Sequence, residues 1–292
     1  MKIGFIGLGH LGRAMAERLT ECGHELIVWN RSADRTEGLT ASVAISPAAL
    51  AEDCDIIFLC LFDSDAVRSI LLDEKGVLSV DMAGKVIIDV TTNHYREVVS
   101  FHDLCRQKGT SYLEAPVIGS VVPAQKGMLT ILASGNEKTY QQVRPLLENL
   151  GENLFFLEEP GTASKMKVIN NMALGSIMAA NAEALAMAEK AGIDVVDALE
   201  ILSVGGGSSR ILTAKKKKLL ENDFTTHFSS ALLYKDLACL MDLASEEKKS
   251  LLISALIKEL YGRTFEEGFA SEDFSAIYKL FRGAIKEPAL IA

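Results

Sequence analysis

The sequence carries no pairing pattern among its metal-capable and redox-capable residues. Five cysteines (Cys22, Cys54, Cys60, Cys105, Cys239) are scattered without a CxxC, and none of the five histidines stands in an HxxxH or HExxH pair. No protein-built metal site is expected, and an odd, dispersed set of thiols belongs to a reducing compartment, not to a disulfide framework. Basic charge is also short. With 30 Lys and Arg against 39 Asp and Glu the chain carries −9, which argues against nucleic acid as a main partner, although a small anion can still be held at a local basic spot. No signal peptide is read at the N-terminus, because "MKIGFIGLG" goes straight into a strand and a turn. A cytoplasmic protein is therefore expected. A long enough apolar run is missing too. The stretch from Met172 to Ala188 is interrupted by Asn181 and Glu183 and is short for a membrane span, so it reads as a core helix and no membrane is expected as a partner. There are no tandem repeats and no low-complexity segments.

What is present is an ordinary globular composition, 49% hydrophobic and 24% charged over 292 residues, enough for two domains or one large one. The first half alternates. "KIGFIG", "ELIVWN", "CDIIFLCL", "KVIIDV", "TSYLEAPV", "MLTILASG" and "NLFFLE" read as strands. "HLGRAMAERLTECG", the short "PAALAEDC", "HYREVVSFHDLCRQKG" and "EKTYQQVRPLLENLG" read as helices. Such alternation implies a mostly parallel sheet covered on both faces. After "EEPGT" the pattern is helical only, so a boundary is expected near residue 160, with an α/β domain over 1–160 and an all-α domain over 161–292. "KKKK" at 215–218 reads as a solvated helical face.

Gly7-Leu8-Gly9-His10-Leu11-Gly12 is a G-x-G-x-x-G that follows a strand and opens a helix, the context that makes it a dinucleotide fingerprint. Gly7 permits the tight turn, Gly9 lets backbone approach a pyrophosphate, and Gly12 allows close helix–strand packing, with the helix N-terminus facing the phosphates. The fold class is therefore a Rossmann-type doubly wound sheet followed by an all-helical domain. After the second strand stand Asn30-Arg31-Ser32 instead of a ribose-binding acid. No carboxylate is there to repel a 2′-phosphate, and Arg31 is placed to pair with one or simply to face solvent. Two further post-strand loops are candidates: residues 60–65, with Leu61 and Phe62, and residues 89–93, where Thr92 suits a cofactor contact or an ordinary Ser/Thr turn. Gly119 and Ser120 offer backbone N–H groups to a carboxylate, or only an exit from a strand. The helix "SKMKVINNMALGSIMAANAEALAMA", 164–188, reads as unbroken until Gly192 and buried. Its Lys167 and Asn171 lie one turn apart on one face. A lysine there either snorkels to solvent or has a partner or a task.

Together these pieces resemble the β-hydroxyacid dehydrogenase family, most closely its glyoxylate/succinic semialdehyde reductase branch. "FIGLGHLGRAMAERL" is similar to the family's N-terminal signature, "EAPVIGS" to its substrate-loop text, "GTASKMKVINN" to its catalytic helix and "YKDLACLMDLA" to its downstream element. Asn30-Arg31-Ser32 in place of an acid make NADP(H) the expected preferred cofactor, with NAD(H) as the other possibility, and the resemblance implies a small aldehyde or keto acid as substrate. It implies Lys167 as catalytic lysine with Asn171 as its partner, Thr92 and Lys235 as cofactor contacts, Phe228 and Asp236 as active-site positions, and a homodimer or homotetramer. Three places depart from the pattern. His10-Leu11 stands where the N-terminal signature usually ends in Met. Ile118 stands where a serine usually helps hold the substrate carboxylate, and Phe62 replaces a proline. On this reading a lysine ammonium at 167 gives a proton to a carbonyl oxygen in reduction and takes it back in oxidation. Imine reduction and a non-catalytic dinucleotide-binding module are the alternatives, since fold does not fix function.

Overall fold

The computed structural model describes residues 2–283. The chain forms two compact units, Met1–Lys167 and Val168–Ala292.

The first unit runs β1 (Ile3–Ile6), α1 (His10–Glu21), β2 (Leu26–Trp29), β3 (Ser42–Val43), α2 (Pro47–Asp53), β4 (Ile56–Leu59), α3 (Ser64–Leu72), β5 (Val86–Asp89), α4 (Tyr95–Gln107), β6 (Ser111–Glu114), β7 (Val117–Ile118), α5 (Val121–Gln125), β8 (Leu129–Gly135), α6 (Glu137–Leu150) and β9 (Gly151–Phe156). The sheet order is β3-β2-β1-β4-β5-β6-β8-β7, with β9 on β8. Strands β1 to β6 pair in parallel, β8 runs antiparallel to β6 and β7, and β9 is parallel to β8. The apolar strands serve two cores because successive side chains point to opposite faces. Phe5, Phe58 and Ile88 enter one cluster, while Ile6, Ile57, Leu59 and Ile87 enter the other. "TSYLEAPV" is two strands, not one, since the chain turns at Ala115-Pro116 and both pieces pair with β8. The loop read over 60–65 also ends sooner. Asp63 caps α3 by accepting the Ala66 N–H at 2.9 Å, a strong helix start signal.

The second unit is helical: α7 (Thr162–Lys190, entering from the first unit), α8 (Val195–Val204), α9 (Arg210–Glu221), α10 (Ser230–Glu246), α11 (Leu252–Glu266) and α12 (Tyr278–Arg282). Helix α7 is unbroken to Lys190, as expected, although it contains Gly175. A Cβ on Gly175 would sit 3.3 Å from Leu233 and 3.4 Å from Ile257, so bare backbone lets α10 and α11 approach, and packing outweighs the roughly 1 kcal/mol helix penalty. Two expectations change here. First, α7 is not a fully buried core helix, because Met166, Ile169, Ile177 and Met187 are exposed along it. Secondly, the lysine run is not a solvated face. Lys215 and Lys218 are buried. Lys215 Nζ lies 2.8 Å from both oxygens of Asp273, and Lys218 Nζ donates to the carbonyls of Asp223 and Thr225. The helical period turns every third or fourth lysine inward, and each has found acceptors there.

All five cysteines are free. Among the described residues no helix is long and apolar enough to cross a membrane, and no group of three or more His, Cys, Asp or Glu is placed to hold a metal ion.

Candidate active site

The sheet order reverses at β1, whose neighbours β2 and β4 lead the chain in opposite directions. The crevice beyond such strand ends is where open α/β sheets bind ligands. Residues 7–12 occupy it, and their three glycines have different reasons. Gly7 has φ +98°, and a Cβ there would lie 2.2 Å from the Cys60 carbonyl oxygen. A Cβ on Gly12 would lie 2.0 Å from the Gly7 carbonyl oxygen. Both are required by the fold itself. Gly9 is not. Its φ of −64° suits any residue, and nothing lies within 4 Å of the place its Cβ would take. It is the N-cap of the 12-residue α1 and makes no side-chain cap. The missing side chain leaves room at a helix N-terminus, where a pyrophosphate is stabilised by N–H groups and the helix dipole. The residues present thus fit a dinucleotide. His10 is exposed at the rim and Leu11 half-buried, whereas the Leu8 side chain is in the core and only its backbone faces the loop.

Asn30 is occupied in holding this loop together. Its Oδ1 accepts the Leu8 N–H at 2.8 Å and its Nδ2 donates to the Ser32 carbonyl at 2.9 Å. It thereby sets the positions of Arg31 and Ser32, both exposed. A second tie joins the next two loops. Leu61 N–H donates to Thr91 Oγ1 at 2.9 Å, beside the half-buried Thr92 and the exposed Phe62. The buried Asp89 at the end of β5 organises that loop, accepting from Thr91 N, Asn93 Nδ2 and the Tyr112 hydroxyl. Burial pushes the Asp89 carboxyl above its ordinary range, against the bonds from Thr91, Tyr112 and Asn93.

Ile118 pairs with Thr130 in the β7–β8 ladder and is half-buried. Gly119 follows with φ +135°, and Ser120 begins α5 with no side-chain cap. Lys167 lies near the start of α7 and is only 7% exposed, so it does not snorkel.

In the second unit, the buried Asn171 and Asp236 and the half-buried Lys235 form one network. Asn171 is fully buried, its Nδ2 donates to Asp236 Oδ2 at 2.6 Å, and its Oδ1 accepts from Asn170. Lys235 Nζ stands 3.2 Å from Asp236 Oδ1. Asn171 is therefore an anchor of α7 on α10, and Asn170 bonds to it from within α7. Phe228 lies in the segment before α10, edge-on to Phe274 at 5.8 Å between ring centroids.

Two family models match successive parts of the chain. Residues 2–158 match the NAD binding domain of 6-phosphogluconate dehydrogenase, and residues 161–281 match the NAD-binding domain of NADP-dependent 3-hydroxyisobutyrate dehydrogenase. The chain belongs to the β-hydroxyacid dehydrogenase family. Among its curated relatives is the cytokine-like nuclear factor N-PAC of Anopheles gambiae, 33% identical over 95% of this chain and 50% of that protein. Another is glyoxylate/succinic semialdehyde reductase 1 of Arabidopsis thaliana, 32% identical over 95% of this chain and 97% of that one. The chain spans about half the length of the nuclear-factor relatives. A solved structure described as Psf3 in complex with NADP+ and 2-OPP is similar with a TM-score of 0.88 and 26% identity, over 95% of this chain and 99% of that one.

Several polar residues of this member of the family were not singled out in the sequence: Asp89, Tyr112, Glu114, Ser134, Ser164 and Asp273. The available signal was an acid directly after an apolar strand, "VIID" and "SYLE". A carboxylate at such a position is buried and must find donors.

Proposed function

We propose that the protein is an NADPH-dependent reductase of a small aldehyde or keto acid, of the semialdehyde or glyoxylate kind, with Lys167 as general acid. The burial of Lys167, one helical turn before Asn171 and at the end of the dinucleotide-binding unit, supports this reading. The glycine cradle of residues 7–12, Arg31 and Ser32 would hold the cofactor phosphates, with Leu61, Phe62, Thr92 and Lys235 as further contacts. Arg31 with no acid beside it supports the 2′-phosphate form, as does the NADP+ named in the Psf3 complex. Gly119 and Ser120 would hold the substrate carboxylate by backbone N–H groups, next to Ile118. Phe228, Asn171 and Asp236 would shape and orient the substrate end.

The reduced nicotinamide, when bound, supplies a hydride to the carbonyl carbon. As the new C–H bond forms, the carbonyl π electrons move to oxygen. Lys167 Nζ donates a proton to that oxygen, which yields the hydroxyl product and a neutral amine that solvent reprotonates. In the oxidative direction the neutral amine accepts the hydroxyl proton. The apolar positions left exposed on α7, α8 and α11, such as Ile177, Ile201, Leu252 and Ile253, support a homodimer or homotetramer, which sedimentation of the purified protein would test.

A second reading is a dinucleotide-binding module without turnover, because fold does not fix function. One experiment separates the two. NADPH consumption is followed with glyoxylate, succinic semialdehyde, related carbonyls and cyclic imines, on wild type and Lys167→Ala. The variant is expected to fold and to bind NADPH, and to lose about 10²–10⁴-fold in kcat, the usual worth of general acid catalysis. Unchanged kcat in a folded variant refutes the role of Lys167, and NADPH binding without turnover of any substrate favours the module.

A further inference from the structure

Glu114 ends β6 and opens the stretch "EAPVIGS", and its carboxylate is almost wholly buried. One carboxylate oxygen accepts from the Gly161 N–H and the Ser134 hydroxyl. The other accepts from the Ser164 N–H at 3.1 Å and the Ser164 hydroxyl at 2.6 Å. The Ser134 oxygen also accepts the Ala163 N–H at 3.2 Å. The first turn of a helix leaves its N–H groups without intrahelical partners. Here the N–H groups of Gly161, Ala163 and Ser164 are taken by one carboxylate and a hydroxyl bonded to it.

An ordinary N-cap comes from the residue just before the helix. The cap of α7 comes instead from 47 to 50 residues upstream, at the root of the loop that carries Ile118, Gly119 and Ser120. A negative charge at this end also complements the helix dipole. Burial pushes the Glu114 carboxyl up, against the bonds from Ser134, Ser164 and Gly161. Lys167 follows Ser164 by three residues, so the two side chains share a face of α7. A single carboxylate thus joins the base of the 115–120 loop to the turn that bears Lys167.

We infer that Glu114 is a positioning residue for the reductive step, fixing the Lys167 turn of α7 against the root of the carboxylate-holding loop through Ser164, Gly161 and Ser134. The inference rests on the proposed role of Lys167. Glu114 touches neither substrate nor cofactor. Its effect falls on proton transfer and carbonyl binding, and not on the phosphate cradle at residues 7–12, which is built from other strands.

The test is steady-state kinetics with separate NADPH titration of the full-length protein carrying Glu114→Gln. Glutamine keeps the shape but turns one acceptor oxygen into a donor NH₂ that must face N–H groups. The expected result is an unchanged Kd for NADPH, a raised KM for the carbonyl, and a kcat lowered by about 10²-fold, the cost of misplacing a reacting group by about 1 Å. Glu114→Asp, which keeps both acceptors, should recover part of that kcat. Wild-type kcat in Glu114→Gln overturns the inference. So does an equal loss of NADPH binding and turnover together with a lowered Tm, the signature of a merely structural cap. Should Glu114→Gln fail to fold, Ser164→Ala and Ser134→Ala each remove one hydroxyl and leave the carboxylate in place. A smaller loss of kcat at constant NADPH Kd is then expected, and no loss in either overturns the inference. Lys167→Ala, run beside them, separates the two ideas. If it retains turnover, the reading of Lys167 fails. If it loses turnover while the Glu114 set does not, only the role of Glu114 fails.

Discussion

Replacing Lys215 by methionine keeps the length and apolar stem of the side chain and removes the ammonium. What is left behind decides the cost. Asp273 is fully buried. Burial pushes its carboxyl up, but the Lys215 ammonium and the bonds from Ser275 outweigh that and hold it below the ordinary carboxylate value. Without Lys215 the carboxylate keeps four neutral donors: Ser275 N–H at 3.2 Å, Ser275 Oγ at 2.7 Å, His227 N–H at 3.2 Å and Phe228 N–H at 3.4 Å. Breaking a buried pair by removing one partner costs about 3–5 kcal/mol. Four remaining donors place Lys215→Met at the lower end, about 3 kcal/mol, or a fall of roughly 6–12 °C in Tm. The cation also sits 4.7 Å from the Phe274 ring centroid, so its loss loosens the ring against which Phe228 packs. Urea unfolding followed by far-UV circular dichroism measures the loss. The double variant Lys215→Met/Asp273→Asn should be more stable than Lys215→Met alone, because no charge is left buried. A single variant within 1 kcal/mol of wild type, or a double variant less stable than the single, refutes the reasoning.

The other predictions concern pH and the cofactor. His102 is packed edge-on to Tyr112 with its Nε2 buried, and burial lowers its pKa from 6.5 to about 4. The unfolded chain therefore binds a proton below pH 6.5 that the folded protein refuses until about pH 4. The stability contributed by neutral His102 is full above 6.5 and falls by at most about 3 kcal/mol across that window. His102→Leu should flatten this part of the stability–pH curve, and an unchanged slope would exclude His102 as its source. Arg31→Ala should weaken NADPH by about tenfold, one charge-assisted bond, and leave NADH alone; equal weakening of both in isothermal titration counts against a 2′-phosphate contact. Gly9→Ala should leave Tm unchanged, since the added methyl meets only open space in the protein, yet abolish cofactor binding; normal NADPH affinity would show that the pyrophosphate does not approach there.

The two units differ in how much of them could be read from the chain. Strands β1, β2, β4, β5 and β8 were legible because apolar runs of four to seven residues between glycine-rich or helix-start signals have few other solutions. The glycine loop was legible because its spacing and context are local. The lysine run was misread because composition counts charges but not the face each one takes. Whether Lys216 or Lys215 turns inward depends on where Asp273 lies, 58 residues away. The asparagines of α7 raised a question that the sequence could frame but not answer, since Asp236, the partner of Asn171, is 65 residues on.

The amino-acid sequence alone determined an alternating α/β unit that ends in helices, a dinucleotide cradle, and a lysine and asparagine one turn apart, because periodicity, turn chemistry and helical spacing act over a few residues. Only the tertiary structure decided which side of β8 each strand joins, that Gly7 and Gly12 serve the fold while Gly9 leaves room, and that Glu114 and Asp273 are caps and anchors instead of surface acids. These depend on which distant donor meets a buried carboxylate, and that pairing is set by the desolvation cost of leaving it unmet once the chain has closed around it.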